Sequence, residues 1–370
     1  MASLGNKTAL LALIGIAASV SALDAQAGAT VNIGPDQSVS VGFGMRTSYS
    51  SVEHGAPDGS HSSDFNLDSA RIYLGASLNQ QIKGMFSTEW DGDKVRVLDA
   101  AGQFAFSPEL NVWAGRLLSP SDRANMAGPY YSLGGGYWAG VASRYGYNGG
   151  IFRGRDDGAV VWGNLLDGKL GYSIGAFEGH TFGVGSLTQN EAKAAGIKAS
   201  DKPMVAGRLQ YDFWDAEPGY YGTGNYLGTK DILALGLAAR TQKNGVLTPL
   251  AAGDYRSWSL DFLLEKRLGA DAGALSLEGA WYDYNTDNVV RSEQGKAWLV
   301  GAGYIINSIQ PFVHYQKFSA DTGIDTKQTD IGVNYIIQGY NAQVAALYSK
   351  TKMTNAPDGS RFAVTLQLQY

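Results

Sequence analysis

Ten cationic side chains carry the chemistry this sequence suggests. Arg46, Arg71, Lys83, Arg116, Arg208 and Arg240 fall on the polar faces of alternating runs, whereas Arg123, Arg144, Arg153 and Arg155 lie within one Gly- and Tyr-rich stretch, residues 119–156. A guanidinium is a planar fork of donors that matches a carboxylate or a phosphate, so such a set suits recognition of small anions. Carboxylates share the same strand faces: Glu89, Asp91, Asp99, Asp212, Asp261, Glu265, Glu278 and Asp330. In a dry core each of these charges would be costly unless paired. Lining water they are tolerated, and the two signs nearly balance.

Other chemistry is poorly supplied. The histidines are His54, His61, His180 and His314, the first three in connecting segments and the last on a polar strand face. No G-x-S-x-G or H-E-x-x-H pattern accompanies them, so no enzyme is expected. The chain has no cysteine, which excludes thiolate metal sites, thiol nucleophiles and C-x-x-C-H haem attachment. "DGDK" at Asp91–Lys94 falls far short of an EF-hand loop and reads as a turn. A net charge of −5 without a basic patch gives no support for nucleic-acid binding. No cofactor or metal is expected.

These charges must be positioned by strands. In "SVSVGFGMRTSYSS", residues 38–51, odd positions from Val39 to Tyr49 are apolar or methyl-bearing and even positions are small or polar. Such alternation gives a strand two faces that meet two different solvents. The pattern recurs through sixteen segments, the last being "RFAVTLQLQY" with Phe362, Val364, Leu366, Leu368 and Tyr370 on one face. Long polar connections, including 52–64, 119–156 and 179–202, alternate with tight turns such as Gln80–Gln81, "SPE" and "LDG"; one long "WDAEPGYYGTGNYLGT" breaks the rule. An even strand count with loops sorted by length is the pattern of an outer-membrane barrel, whose alternate residues touch lipid. Aromatic residues at strand ends, among them Tyr49, Trp113, Trp162, Trp258 and Tyr304, are expected on the lipid face at the membrane boundaries. Lys7, the apolar run from Ala9 to Val20 and "DAQAG" read as a signal peptide over residues 1–27. Residues 28–370 then form one barrel domain.

Four stretches resemble the phosphate-selective (O and P) porin family: "LDSARIYLGASL" with "IKGMFSTEWD", "LNVWAGRLLSPSD", "GRDDGAVVWGNLLDGKLGYSIGAFEG" and "AGRLQYDFWDAEPGYYGTGNYLGTKDILALGLA". The resemblance covers about residues 38 to 370 and accounts for the long Glu-Pro-Gly-Tyr-Tyr turn. It implies an all-β, sixteen-stranded, usually trimeric channel in the bacterial outer membrane, with the third loop (119–156) folding inward to narrow the pore. Arg116 and the loop arginines then become the first candidates for the constriction. Partners would be outer-membrane lipid, small hydrophilic solutes or anions, and further copies of the chain. The expected activity is passive diffusion. The alternatives are a structural sheath around another protein, which would need an open bore, and a barrel enzyme.

Overall fold

The computed structural model describes residues 28–90, 92, 94–136, 139–146, 154–179, 187–269 and 271–370. The expected signal peptide, Asp91 and Arg153 lie outside the described residues. After a short strand β1 (Ala29–Asn32) come β2 (Ser38–Val52), β3 (Ser62–Ser77), β4 (Ile82–Trp90), β5 (Val95–Ser107) and β6 (Leu110–Leu118). A short helix α1 (Arg123–Ala127) precedes β7 (Arg155–Leu165) and β8 (Leu170–Phe177); helix α2 (Gln189–Ala194) precedes β9 (Met204–Asp212). Then follow β10 (Ile232–Leu247), β11 (Ala252–Gly269), β12 (Gly273–Asn285) and β13 (Gly295–Ile305). The last four are β14 (Ile309–Ala320), β15 (Asp325–Gln338), β16 (Ala342–Met353) and β17 (Gly359–Gln369).

Strands β2 to β17 correspond one for one to the sixteen alternating segments. Each pairs antiparallel with its chain neighbours, and β17 returns to β2, from Gln369 opposite Gly44 to Arg361 opposite Val52. Phe43 and Tyr370 exchange both backbone hydrogen bonds at 2.7 Å where β17 ends. Beyond that point β1, which the alternation did not predict, takes over the same edge of β2, from Ala29 opposite Val41 to Asn32 opposite Ser38. The ring therefore closes, and this edge of β2 is covered along its length.

Turn chemistry keeps one rim short. In the "LDG" hairpin Leu166 (φ 53°) and Asp167 (φ 56°) are both left-handed. They are the central residues of the turn closed by Gly168 N to Leu165 O at 3.1 Å, within a four-residue loop between Leu165 and Leu170, and their left-handed backbone has the twist that paired strands need. Connections 78–81, 108–109, 306–308 and 339–341 are similarly brief. The opposite rim carries 53–61, 119–154 and 178–203; the exception at the short rim is 213–231.

Burial is inverted relative to a water-soluble protein. Ile72 (50%), Leu260 (51%) and Ile331 (58%) face outward and exposed, while Asp261, Glu265, Gln316 and Asp330 are buried inside. A band of exposed aliphatic and aromatic side chains around a closed barrel is stable only against hydrocarbon. No described helix is long and apolar enough to cross a membrane; the strands do the spanning. Trp113 and Trp162 depart from the expected pattern. Both point inward and are buried, in edge contact at 5.2 Å, because Asn111 and Trp113 oppose Trp162 and Val160 on the inner face.

A candidate permeation pathway

The inner wall from β2 to β7 bounds a cavity of about 1640 Å³. Arg46, Arg71, Lys83, Asp99, Gln103 and Arg155 line it, and it reaches Gln81, Pro108 and Asp167 at the short rim. Strand alternation puts each wall residue there. Lys83 and Ser87 share a face of β4 with Glu89, which pairs with Arg71 on β3. Arg155 pairs with Asp99 at 3.1 Å. Lys83 has no ion-pair partner among the described residues, and its face opens on the cavity.

The far side of the cavity is formed by Asn125, Met126, Ala127, Gly128, Pro129, Tyr130 and Tyr131. The described parts of this loop, 119–136 and 139–146, run along the inner wall and are held by inward-facing side chains of strands around the barrel, Asp261 of β11 among them, which accepts from Arg123 N at 3.2 Å. Arg240 of β10 donates to the carbonyls of Ser119 (3.2 Å) and Pro120 (3.1 Å). Arg208 of β9 donates to Ser121 O at 3.1 Å. Tyr282 of β12 donates to Asp122 at 2.8 Å. Gln316 of β14 accepts from the backbone of Val141 and Ala142, and Asn334 of β15 accepts from Gly135 at 2.8 Å. Gln367 of β17 donates to Tyr130 O at 3.1 Å, and the hydroxyls of Tyr130 and Ser69 on β3 meet at 3.0 Å. The approach is close: at Gly134 (φ 96°) an added Cβ would lie 2.7 Å from Phe312.

A second segment enters from the opposite rim. The long turn 213–231 meets the loop through Arg123, whose guanidinium is bidentate on Glu217 at 2.8 and 2.7 Å. Arg123 also donates to Thr223 O at 2.7 Å, and Gly224 N donates to Tyr131 O at 3.0 Å. Tyr220 donates to Leu118 O at 2.5 Å. Burial alone would raise the Glu217 carboxyl, yet Arg123 holds it below the ordinary range. Asp122, in the loop and outside the strands, is pushed up to about 6 by burial and by the charge of Asp261, against hydrogen bonds from Tyr282 and Ser143.

The expected cationic set therefore divides. Arg46, Arg71, Lys83 and Arg155 line the cavity, and Arg46 and Arg71 lie over the Tyr130 ring at 4.9 and 4.8 Å. Arg123, Arg208 and Arg240 clamp the inward segments. Arg208 is also paired with Asp261 at 2.6 Å, and Arg240 lies over Tyr145 at 4.3 Å. Arg144 pairs with Glu293, Nε to Oε2 2.8 Å, and lies over Phe318. Arg116 corrects the expectation: it is on the outer face, ion-paired with Asp157 at 2.7 Å. Its register partners Ala100 and Asp157 face outward, while Leu117 turns inward and is buried.

Among the described residues the expected carboxylates are inward but do not simply line water. Glu265 accepts from the backbone of Tyr226 in the second segment, and Glu278 meets His314 at 2.9 Å. Sequence reasoning missed Tyr130, Glu217 and the amides Gln316, Asn334 and Gln367. The amides were visible as polar residues at inward positions; nothing in the spacing tied them to the loop.

The chain matches no family model and no curated protein. Its fold is similar to that of an anion-selective porin from Comamonas acidovorans, with TM-score 0.61 over 90% of this chain and 100% of that one at 13% identity. It is similar to OprB of Pseudomonas putida, TM-score 0.63 over 90% and 94% at 10% identity. It is also similar to OmpT of Vibrio cholerae in a trimer form, TM-score 0.55 over 90% and 100% at 14% identity. At such identities the likeness carries the fold alone: an all-β, sixteen-stranded, closed antiparallel barrel of the porin type.

Proposed function

We propose that this chain is a porin of the bacterial outer membrane, giving passive diffusion of small hydrophilic solutes with a preference for anions such as phosphate. The observation that carries this reading is the charged, polar cavity inside an apolar-faced barrel, narrowed by the segment at 125–131. Arg46, Arg71, Lys83 and Arg155 supply the attraction, because low-dielectric walls focus their field on a narrow water column. Of these, Lys83 weighs most, since Glu89 and Asp99 offset Arg71 and Arg155. The Glu-Pro-Gly-Tyr-Tyr run at 217–221 supports a phosphate-selective O/P-type porin. Assembly as a homotrimer belongs to the same reading. The occupied bore disfavours a sheath.

The test is single-channel recording in planar bilayers, with reversal potential under a potassium chloride gradient. Ohmic channels with anion preference are expected, and phosphate should lower the chloride current. Absence of conductance, or cation preference, would overturn the proposal.

A further inference from the structure

We propose that the outer face of β14–β16, at the long-loop rim, binds the phosphorylated headgroup of an outer-leaflet glycolipid. The inference rests on the barrel spanning the outer membrane with its long loops outward. Lys317, Lys327 and Lys352 stand directly opposite one another in a single cross-strand row. The next row toward the apolar band is Tyr315, Thr329 and Lys350, and the one after it Val313, Ile331 and Tyr348. All share the outer face, as the exposure of Val313, Ile331, Val333 and Tyr348 marks.

Like charges directly opposite weaken a sheet, so a row of three lysines calls for counter-charge. Asp325 lies 2.7 Å from Lys317 and 3.9 Å from Lys327. Asp358 lies 3.3 Å from Lys350 and 3.1 Å from Lys352. Four cations against these two carboxylates, with Glu53 acting on Lys350 from farther off, leave an excess of one to two positive charges, which one phosphate monoester, at roughly −1.5 to −2, would neutralise.

Height on the barrel says that the phosphate belongs to a lipid. Down the outer column of β15 run Lys327, Thr329, Ile331, Val333 and Tyr335, the last beside the short rim. From Tyr335 to Lys327 the strand climbs about 27 Å along its axis, or roughly 20 Å once tilted by about 40°. That is close to the height of an apolar band of about 25 Å. The lysines therefore lie where acyl chains give way to headgroups. Trp298 stands opposite Lys317, and its ring is 4.8 Å from that of Tyr315, an aromatic pair suited to the same boundary. A free anion drawn into the lumen would not meet these residues.

The experiment is native mass spectrometry of the barrel in detergent micelles, titrated with bis-phosphorylated lipid A, its dephosphorylated form, or inorganic phosphate. Lipid A should be retained, with the dephosphorylated form at least tenfold weaker and inorganic phosphate not retained. Replacing Lys317, Lys327, Lys350 and Lys352 together by Gln should weaken lipid A at least tenfold, and the K327Q/K352Q pair should weaken it by less. Removing mutual repulsion should leave the barrel folded, checked by its heat-dependent gel migration. Equal lipid A affinity in the quadruple variant would overturn the proposal, as would equal retention of the dephosphorylated lipid. So would loss of oligomers with lipid binding unchanged, which would make the patch a contact between copies. A barrel that binds lipid A in this way but does not conduct would refute the channel reading and leave this one standing.

Discussion

Replacing Arg123 by Leu should detach the two inward segments from each other. Arg123 and Glu217 are 4% and 5% exposed, joined by two parallel hydrogen bonds. Removing one partner of so buried a pair costs about 3–5 kcal/mol, because the other charge is left uncompensated. Glu217 keeps the Tyr226 hydroxyl at 2.6 Å and the Gln210 amide at 3.1 Å, and Asp261 keeps Arg208. The low end, about 3 kcal/mol, therefore applies, and at about 1.4 kcal/mol per decade it raises the undocked population roughly hundredfold. The chain has no cysteine, and Ala127 is buried against Gly224 of the second segment, so Ala127→Cys reports undocking through its rate of labelling by a water-soluble thiol reagent. In R123L that rate should rise about hundredfold, with matching growth in current noise. In R123L/E217L it should return to within about tenfold of the parent, since replacing both ions by apolar groups is often neutral. If single and double variants label alike, or if R123L labels like the parent, the pair does not hold the segments together.

Lys83→Glu should move the reversal potential toward cation preference, whereas Arg116→Ala should leave conductance and selectivity within experimental scatter, because its guanidinium lies outside the barrel against Asp157. Asp122 gives a pH signature. Its carboxyl is pushed up to about 6 in the folded chain, above the ordinary 3.8, so its contribution is full below about pH 4 and is lost as pH rises through 6. The apparent melting temperature in micelles should therefore fall across that window by more in the parent than in Asp122→Asn; equal slopes would refute the assignment. Val333→Lys, in the apolar band, should cost about 2–4 kcal/mol of barrel stability by urea titration in lipid vesicles. An unchanged midpoint would contradict the lipid-facing assignment of that column.

The strands were legible because each face meets one solvent, so the period-two pattern persists from Ser38 to Tyr370 without interruption by a second core. It failed at particular places for particular reasons. β1 is four residues long, too short to establish a period. On β6 the count took Trp113 as lipid-facing and so placed Arg116 inside; Asn111, Trp113 and Leu117 in fact face inward, and the same unbroken alternation puts Arg116 outside. Trp113 and Trp162 were assigned to the membrane boundary by residue type, although their register puts them on the inner face with Asn111 and Asn164.

What fills the lumen was harder to read, yet the inner wall encodes it in the kind of polar residue each strand presents. β14–β17 turn inward the buried amides Gln310, Gln316, Asn334, Gln343, Gln367 and Gln369. An amide can donate and accept without bringing charge into a dry region, and this is where uncharged stretches of the loop backbone cross. β9–β11 turn inward Arg208, Arg240, Asp261 and Glu265, which would be costly beneath a covering segment unless it brought complementary groups. It does: Arg123 and the carbonyls of Ser119, Pro120 and Ser121 arrive from one rim, and the backbone of Tyr226 arrives from the other. Among the described strand residues, the cations that face the cavity are Arg46, Arg71 and Lys83 on β2–β4 and Arg155 at the start of β7. Reading charge sign along a strand therefore misses the distinction that matters. A lumenal charge whose partner comes from an inward segment marks filled bore, and one that faces the cavity, as Lys83 does, marks the water column.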